Sequence, residues 1–477
     1  MRVLVWFRSD LRTDDNTALA AAARDATRGV VGVFAVCPQQ WQTHDWGDAK
    51  VEFVLRNLAC LRERLLGLNI PLRIVTAPRF ADVPAALQRL AGELDCDAVY
   101  ANRELEVNEA RRDAAVRAAL ERDGRTVRLF DDQTILPPEA VRTAEGRFFT
   151  VFTPFKRAWL ARLEAAGEVA PQRPPRRQAE LICAPDDVPE QVPGFDLSRG
   201  LPELWPAGEN AALARLGRFV DERIATYKSR RDYPGTAATS RLSPYLSAGV
   251  LSPRRCLAEA RAANDGYAGE RRPGPSCWIS ELVWREFYRH VLVGFPRVSM
   301  GRAFKPATEQ IAWRDSPADL AAWQAGRTGV PIVDAGMRQL AAEGWMHNRV
   351  RMIVAMFLAK DLLLDWRLGE RHFMRHLVDG DLASNNGGWQ WSASTGTDAA
   401  PYFRLFNPFR QSARFDPDGA YIRAYVPELR DVPATALHDP AALAAERRGA
   451  AADYPPPICD LRATRARVLA AFRDAAP

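Results

Sequence analysis

The sequence has no apolar run approaching the ~18 residues that span a bilayer, and Arg8 and Asp10 interrupt its first ten residues. Neither a membrane helix nor a secretory leader is expected. Its seven cysteines are odd in number, widely spaced and free of any CxxC pair. That argues against a disulfide framework or a structural zinc site and implies reduced thiols in a cytoplasm. Charge of either sign is not in marked excess: 65 Lys+Arg against 59 Asp+Glu leave +6 over 477 residues, which does not by itself identify a polyanionic partner. Only five basic residues are Lys, a skew toward Arg that carries little weight beside coding bias. There is no internal repeat and no low-complexity tail. What remains, with 47% hydrophobic and 26% charged residues, is the composition of a globular protein with a large core.

The ordered pattern begins with VLVWF at 3–7, a polar segment, and Asp14-Asp15-Asn16 as a helix cap before ALAAAAR. VVGVFAV at 30–36, PLRIVTA at 71–77, AVYAN at 98–102 and TVRLF at 126–130 read as further buried strands. Helices are expected from Ala49 to Leu66, near 82–94 and from Val107 to Arg122. Such alternation implies a doubly wound parallel sheet, with ligands beyond the strand ends at Arg8, Cys37 and Asn102. No GxGxxG follows the first strand, so a dinucleotide held in the usual way there is not expected. From about Ala170 to Pro206 the chain is dense in Pro and charge, and beyond Leu213 helical periodicity takes over. The expected organisation is an α/β N-terminal doubly wound parallel sheet domain at 1–135, a linker at 136–212 and an all-α C-terminal domain at 213–477.

Eight of the thirteen tryptophans fall between 278 and 391. Trp323 and Trp345 read as core residues. In CWISELVWREFYRHV, helical spacing puts Trp278, Glu281, Leu282 and Arg285 on one stripe with Trp284 and Tyr288 on its flank, a combination suited to a polar pocket. In GWMHNRVRM, Trp345, Asn348, Arg349 and Met352 share a face on which a nucleobase can stack and hydrogen-bond. The stretch 377–411 gathers Asp379, Asp381, Asn385 and Asn386 around glycines, then Trp389 and Trp391, but no histidine in ligand spacing, so no metal site is expected. AATSRLSPYLSAG supplies Thr239, Ser240, Arg241 and Ser243, suited to a phosphate ahead of a helix.

Together, WFRSDLR at 6–12, DN at 15–16, TSRLSPYLSAG at 239–249, WREFYRH at 284–290, GWMHNRVRM at 344–352 and DGDLASNNGGWQWSASTGTDAAPYFR at 379–404 closely resemble the photolyase/cryptochrome family. The likeness runs in one collinear order along the whole chain and is greatest to bacterial class I cyclobutane pyrimidine dimer photolyases. It implies an antenna domain, a helical FAD-binding domain, and light-driven electron transfer from fully reduced, anionic FAD to a dimer flipped out of DNA. By motif, Tyr227, Thr239, Ser240, Arg241, Leu242, Ser243, Trp278, Glu281, Arg285, Asn348, Arg351, Asp379, Gly380, Asp381 and Asn385 hold the FAD. Asn385 matches the residue facing flavin N5, where an amide favours repair and the plant light sensors carry Asp.

The resemblance also makes Glu281 the acid that hydrogen-bonds the dimer, and places Trp284, Trp391, Asn348 and Met352 around the lesion. Asn348 and Met352 stand where (6-4) photolyases carry histidines, which argues against (6-4) repair. Trp389, Trp366 and Trp313 fall on the family's electron-transfer chain. DNA contacts are expected from Arg231, Tyr288, Arg349, Arg404 and Gln411. Asn108 and Glu109 match residues binding a methenyltetrahydrofolate antenna, although VSMGRAF around Met300 lacks the lysine common in folate-type members, which leaves a deazaflavin as the other choice. UV-damaged DNA is the expected partner, with no membrane and no obligate protein partner. The alternative activity is blue-light reception by a cryptochrome, or by a single-strand-specific DASH type, binding FAD without duplex repair.

Overall fold

The computed structural model describes residues 1–167 and 169–475; Pro477, at the end of the expected C-terminal domain, lies outside them. Five strands, β1 (Val3–Phe7), β2 (Val30–Val36), β3 (Leu72–Thr76), β4 (Ala98–Asn102) and β5 (Thr126–Phe130), form one sheet in the order β3-β2-β1-β4-β5. Every pairing is parallel. The apolar runs explain this: every residue of β1 and β4 is buried, so both faces of the central strands need cover, and the helices between strands supply it. These helices are Thr17–Asp25, Asp48–Gly67, Val83–Glu93 and Val107–Arg122, each within a residue or two of its expected bounds. Asn16 caps the first, its side chain accepting the Leu19 N–H at 3.0 Å. Strand order reverses between β1 and β4, the crevice where such folds hold ligands.

Beyond β5 the chain is helical, apart from an isolated bridge between Arg314 and Leu364. The Pro- and charge-rich stretch carries only a short 3-10 turn, Leu197–Arg199, yet it is strapped to the sheet. The Gln178 side chain accepts from Val30 N–H at 2.9 Å and donates to Val30 O at 3.1 Å, while Asp186 accepts from Ile74 N–H at 2.8 Å.

Two compact units divide the chain, and neither is a single stretch. The first comprises Met1–Ala225, Ser240–Ser299 and Val378–Asp381; the second comprises Thr226–Thr239, Met300–Leu377 and Leu382–Pro477. Within the first, the WFRSDLR and DN residues form a buried ionic lattice. Arg8 meets Asp113 at 2.6 Å, Arg12 meets Asp132, and Arg254 meets Asp15 at 2.9 Å and Asp132 at 2.7 Å. Burial pushes against the charge on Asp132, but Arg12 and Arg254 outweigh it and hold the carboxyl down to about 2. Gly249, at φ +66°, lets its own backbone lie against that of Ser9; a β-carbon there would stand 1.9 Å from Ser9 O.

The second unit is built on an apolar core that includes Trp323, Phe373, Trp366 and Trp389. One π-helical turn, Phe357–Asp361, interrupts its helices. Trp345 is 7% exposed and precedes the helix Asn348–Met356, whose cap is His347. It is a core residue as expected, but it does not share the helix face with Asn348, Arg349 and Met352, because helical spacing begins only after the cap. Among the described residues no helix is long and apolar enough to cross a membrane, and no cluster of His, Cys, Asp and Glu could hold a metal ion. All seven cysteines are free.

Candidate active site

In the first unit the helix Pro273–Gly294 carries Trp278, Glu281, Trp284, Arg285 and Tyr288. Trp278 is buried against Phe219, with ring centroids 5.2 Å apart. Glu281, Trp284, Arg285 and Tyr288 are half-buried. Trp284 lies flat on Phe152, 3.6 Å between centroids and 5° between planes, and leans on Tyr288 at 5.7 Å. Arg285 donates to Gln133 O at 2.6 Å and Leu246 O at 3.3 Å. Burial and then the neighbouring Arg289 pull it down to about 9, which leaves it a cation at neutral pH.

Asp379, Gly380 and Asp381 join this unit. The Asp381 carboxylate pairs with Arg289 at 2.5 Å, and Gly380 O accepts from Lys50 Nζ at 2.7 Å and Ser247 Oγ at 3.1 Å. Ser240, Arg241 and Ser243 are half-buried and Leu242 is buried just ahead of the short helix Ser243–Ser247. Arg241 takes a left-handed backbone, φ +53°, and its guanidinium sits 5.0 Å over the Trp205 ring.

In the second unit, Asn348 opens its helix and is exposed, with Arg349, Arg351 and Met352 half-buried beside it. Arg349 pairs with Asp232 at 2.8 Å and lies 4.4 Å over Phe415. Arg351 donates to Met346 O at 2.8 Å. Tyr227 is buried under the Arg231 guanidinium at 5.3 Å, and Thr239 is half-buried. Asn385, on the helix Leu382–Ala393, donates its amide to Glu370 O at 2.9 Å. That bond orients the side chain and leaves Oδ1 as its acceptor. Trp391 and Gln411 are half-buried and Arg404 is exposed.

Trp389 and Trp366 are both buried in the same apolar core, and the half-buried Trp313 packs against it. The rings meeting Trp389 are Phe373 at 5.0 Å and Trp323 at 6.0 Å, both edge-to-face. Phe373 and the indole of Trp323 thus fill the space around Trp389.

A cavity of about 60 Å³ opens within the first unit at the carboxyl ends of β1 and β2. Arg8 and Cys37, two of the three expected loop positions, line it, with Trp41, Trp46, Lys50 and Glu109. Trp41 and Trp46 stack at 5.1 Å and 7°, and Lys50 Nζ sits 3.8 Å over Trp46. Beside it, His44 Nε2 accepts from the amides of Gln40 at 2.9 Å and Asn108 at 3.0 Å, so Nδ1 carries the proton toward Glu109 at 3.3 Å. Burial, then Glu106 and Glu104, push Glu109 up to about 8, while burial holds His44 down to about 4.

Comparison with known proteins decides what these residues belong to. Residues 3–176 match the family model described as DNA photolyase, and residues 278–474 match the FAD binding domain of DNA photolyase. The chain belongs to the DNA photolyase family. It is 45% identical to the deoxyribodipyrimidine photo-lyase of Salmonella typhimurium, over 99% of this chain and 98% of that one. Among solved structures it resembles a class III photolyase from Agrobacterium tumefaciens, with a TM-score of 0.86, 37% identity, and 99% and 97% of the two chains covered. It also resembles a Sulfolobus tokodaii photolyase with two FAD molecules, with a TM-score of 0.81, 30% identity, and 99% and 100% covered.

FAD is the cofactor of this photolyase family member, and the residues fit it. The hydroxyls of Thr239, Ser240 and Ser243 and the one guanidinium of Arg241 have the chemistry of phosphate partners, and Asn385 Oδ1 that of an acceptor for a ring N–H. Several residues escaped the sequence reading: Glu370, which orients Asn385; Asp232, which holds Arg349; and the Trp41, Trp46 and His44 set around the cavity. For Glu370, Asp232 and the His44–Asn108 contact no local signal exists, because the partners lie 15, 117 and 64 residues apart along the chain.

Proposed function

We propose that this chain repairs cyclobutane pyrimidine dimers in DNA under near-UV or blue light, in a cytoplasm where its thiols stay reduced. The observation that supports the reading is the Asn385 amide, fixed by Glu370 and offering Oδ1; by the family resemblance this is the position where plant light sensors carry Asp. Tyr227, Thr239, Ser240, Arg241, Leu242, Ser243, Trp278, Glu281, Arg285, Asn348, Arg351, Asp379, Gly380, Asp381 and Asn385 hold the FAD. Bound and fully reduced, FAD supplies the electron that opens the cyclobutane ring.

The chain's own residues do the rest. Glu281, half-buried on its helix, hydrogen-bonds the extruded bases. Trp284 and Trp391 offer half-buried indole faces for stacking, with Tyr288, Asn348 and Met352 beside the bases. Arg231, Arg349, Arg404 and Gln411 hold the phosphates. Trp389, Trp366 and Trp313 relay electrons inward when the cofactor has become oxidised. Asn108 and Glu109 hold an antenna chromophore, methenyltetrahydrofolate. Its ring suits the neutral Glu109–His44–Asn108 set, which can accept and donate without a net charge.

The test is anaerobic repair. Chemically reduced, FAD-loaded protein is mixed with a thymine-dimer oligonucleotide, and restored thymines are counted after illumination and in darkness. Light-dependent restoration, lowered by about tenfold or more in Glu281→Gln, is the expected result. Reduced FAD with no dimer lost would overturn repair in favour of photoreception.

A further inference from the structure

Tyr402 is among the large side chains left exposed in the second unit, with 40% of its surface open. Its ring stacks on Phe472, centroids 5.9 Å apart and planes 9° from parallel. Phe472, on the helix Leu461–Asp474, meets Trp313 edge-on at 6.4 Å. A small apolar cluster of Ile311, Leu363 and Val468 seats Phe472, and Trp313 packs against that same cluster. The stretch bearing Tyr402 is anchored as well: Lys360, fully buried in the π-helical turn, donates to Arg404 O at 3.0 Å. Aromatic rings therefore run in unbroken contact from Trp313 to a phenol in water.

We propose that Tyr402 is the terminal electron donor of the relay, an assignment that rests on reading Trp389, Trp366 and Trp313 as that relay. After Trp313 has passed one electron inward it is an indole radical cation. It regains one electron from Tyr402 across the Phe472 ring, which stays closed-shell because a benzene ring is harder to oxidise than either partner. Tyr402 releases its phenolic proton to water and becomes a neutral tyrosyl radical. An external thiol then returns one hydrogen atom to the oxygen, so electrons and protons balance. Exposure matters here, because a phenol losing an electron becomes a strong acid and must shed its proton at once. Of the other tyrosines at the core, Tyr421 is buried and bonded to Gln339 at 2.8 Å, Tyr454 is buried on Asp334, and the half-buried Tyr425 rests on Tyr421 and donates to Glu343.

The experiment uses the full chain loaded with oxidised FAD, flashed with blue light, and followed by transient absorption and electron paramagnetic resonance. In the wild type the indole radical should decay as a tyrosyl signal grows. In Tyr402→Phe, which removes one oxygen and keeps the ring contact, the tyrosyl signal should be lost and the indole radical should outlive that of the wild type. Trp313→Phe should abolish both signals. If Trp313→Phe removes the long-lived indole radical but Tyr402→Phe leaves decay and tyrosyl signal unchanged, the relay stands and the role of Tyr402 is overturned. If Trp313→Phe leaves the radical signals intact, the relay reading fails and the proposal falls with it.

Discussion

A β-carbon on Gly369 would stand 2.1 Å from Cη2 of Trp389, so the indole rests on bare backbone of the helix Trp366–His376. Phe373 and Trp323 close its other sides. Gly369→Ala favours the helix by intrinsic propensity, yet it forces a ring contact that the packed core cannot absorb. The expected outcome is a net loss of about 1–3 kcal/mol with a shifted tryptophan emission, measured by denaturant unfolding. Unchanged stability and emission would show that the helix yields instead.

Asn385→Asp keeps the shape of the side chain and adds a charge. The carboxylate opposes the anionic reduced flavin by on the order of 1–4 kcal/mol, so the reduction potential should fall and repair should slow. A spectroelectrochemical titration of the FAD-loaded protein measures this directly. A potential equal to the wild type's would place the amide away from the flavin.

Arg349 is poised between Asp232 at 2.8 Å and the Phe415 ring at 4.4 Å, its guanidinium half-buried at the surface of the second unit. Arg349→Met should weaken DNA binding evenly across sequences and lower the slope of log affinity against log salt by about 1. Fluorescence anisotropy at several salt concentrations provides the slope. If the slope does not move, Arg349 is not a phosphate contact.

His290 accepts the Phe149 N–H at Nε2, 2.9 Å away, and donates from Nδ1 to Pro138 O at 2.9 Å, so a second proton has no partner. His347 accepts the Arg349 N–H at Nδ1, 3.2 Å away, as a helix cap. Burial holds both down to about 4. Because the folded value lies below the unfolded 6.5, the unfolded chain takes up more protons as pH falls. Stability is therefore complete above about 6.5 and lost on the way down to 4, by up to about 3 kcal/mol for each histidine. Melting temperatures measured from pH 7 to 4.5 should fall, and less steeply in His290→Gln; an equal fall in both would assign the acid limb to other groups.

The strands and helices of the first unit were legible because their signals are local. An apolar run of five residues buries itself, and Asn16 caps the helix that starts one residue later. The motifs were legible as a set, yet their residues divide by role only in three dimensions. Arg8, Arg12 and Asp15 in the N-terminal motifs turn out to be partners in a buried lattice, whereas Asn385 keeps an open acceptor.

By itself the sequence determined the parallel sheet, the helical remainder, the family and the residue types offered to a flavin, since each follows from short-range periodicity or a contiguous motif. Tertiary structure alone decided that Glu370 aims Asn385, that Gly369 seats Trp389, that Asp232 holds Arg349, and that Tyr402 reaches Trp313 through Phe472. Those relationships join residues whose neighbours along the chain carry no trace of the partner. The path of the folded backbone brings them within a few ångströms, and their chemistry begins there.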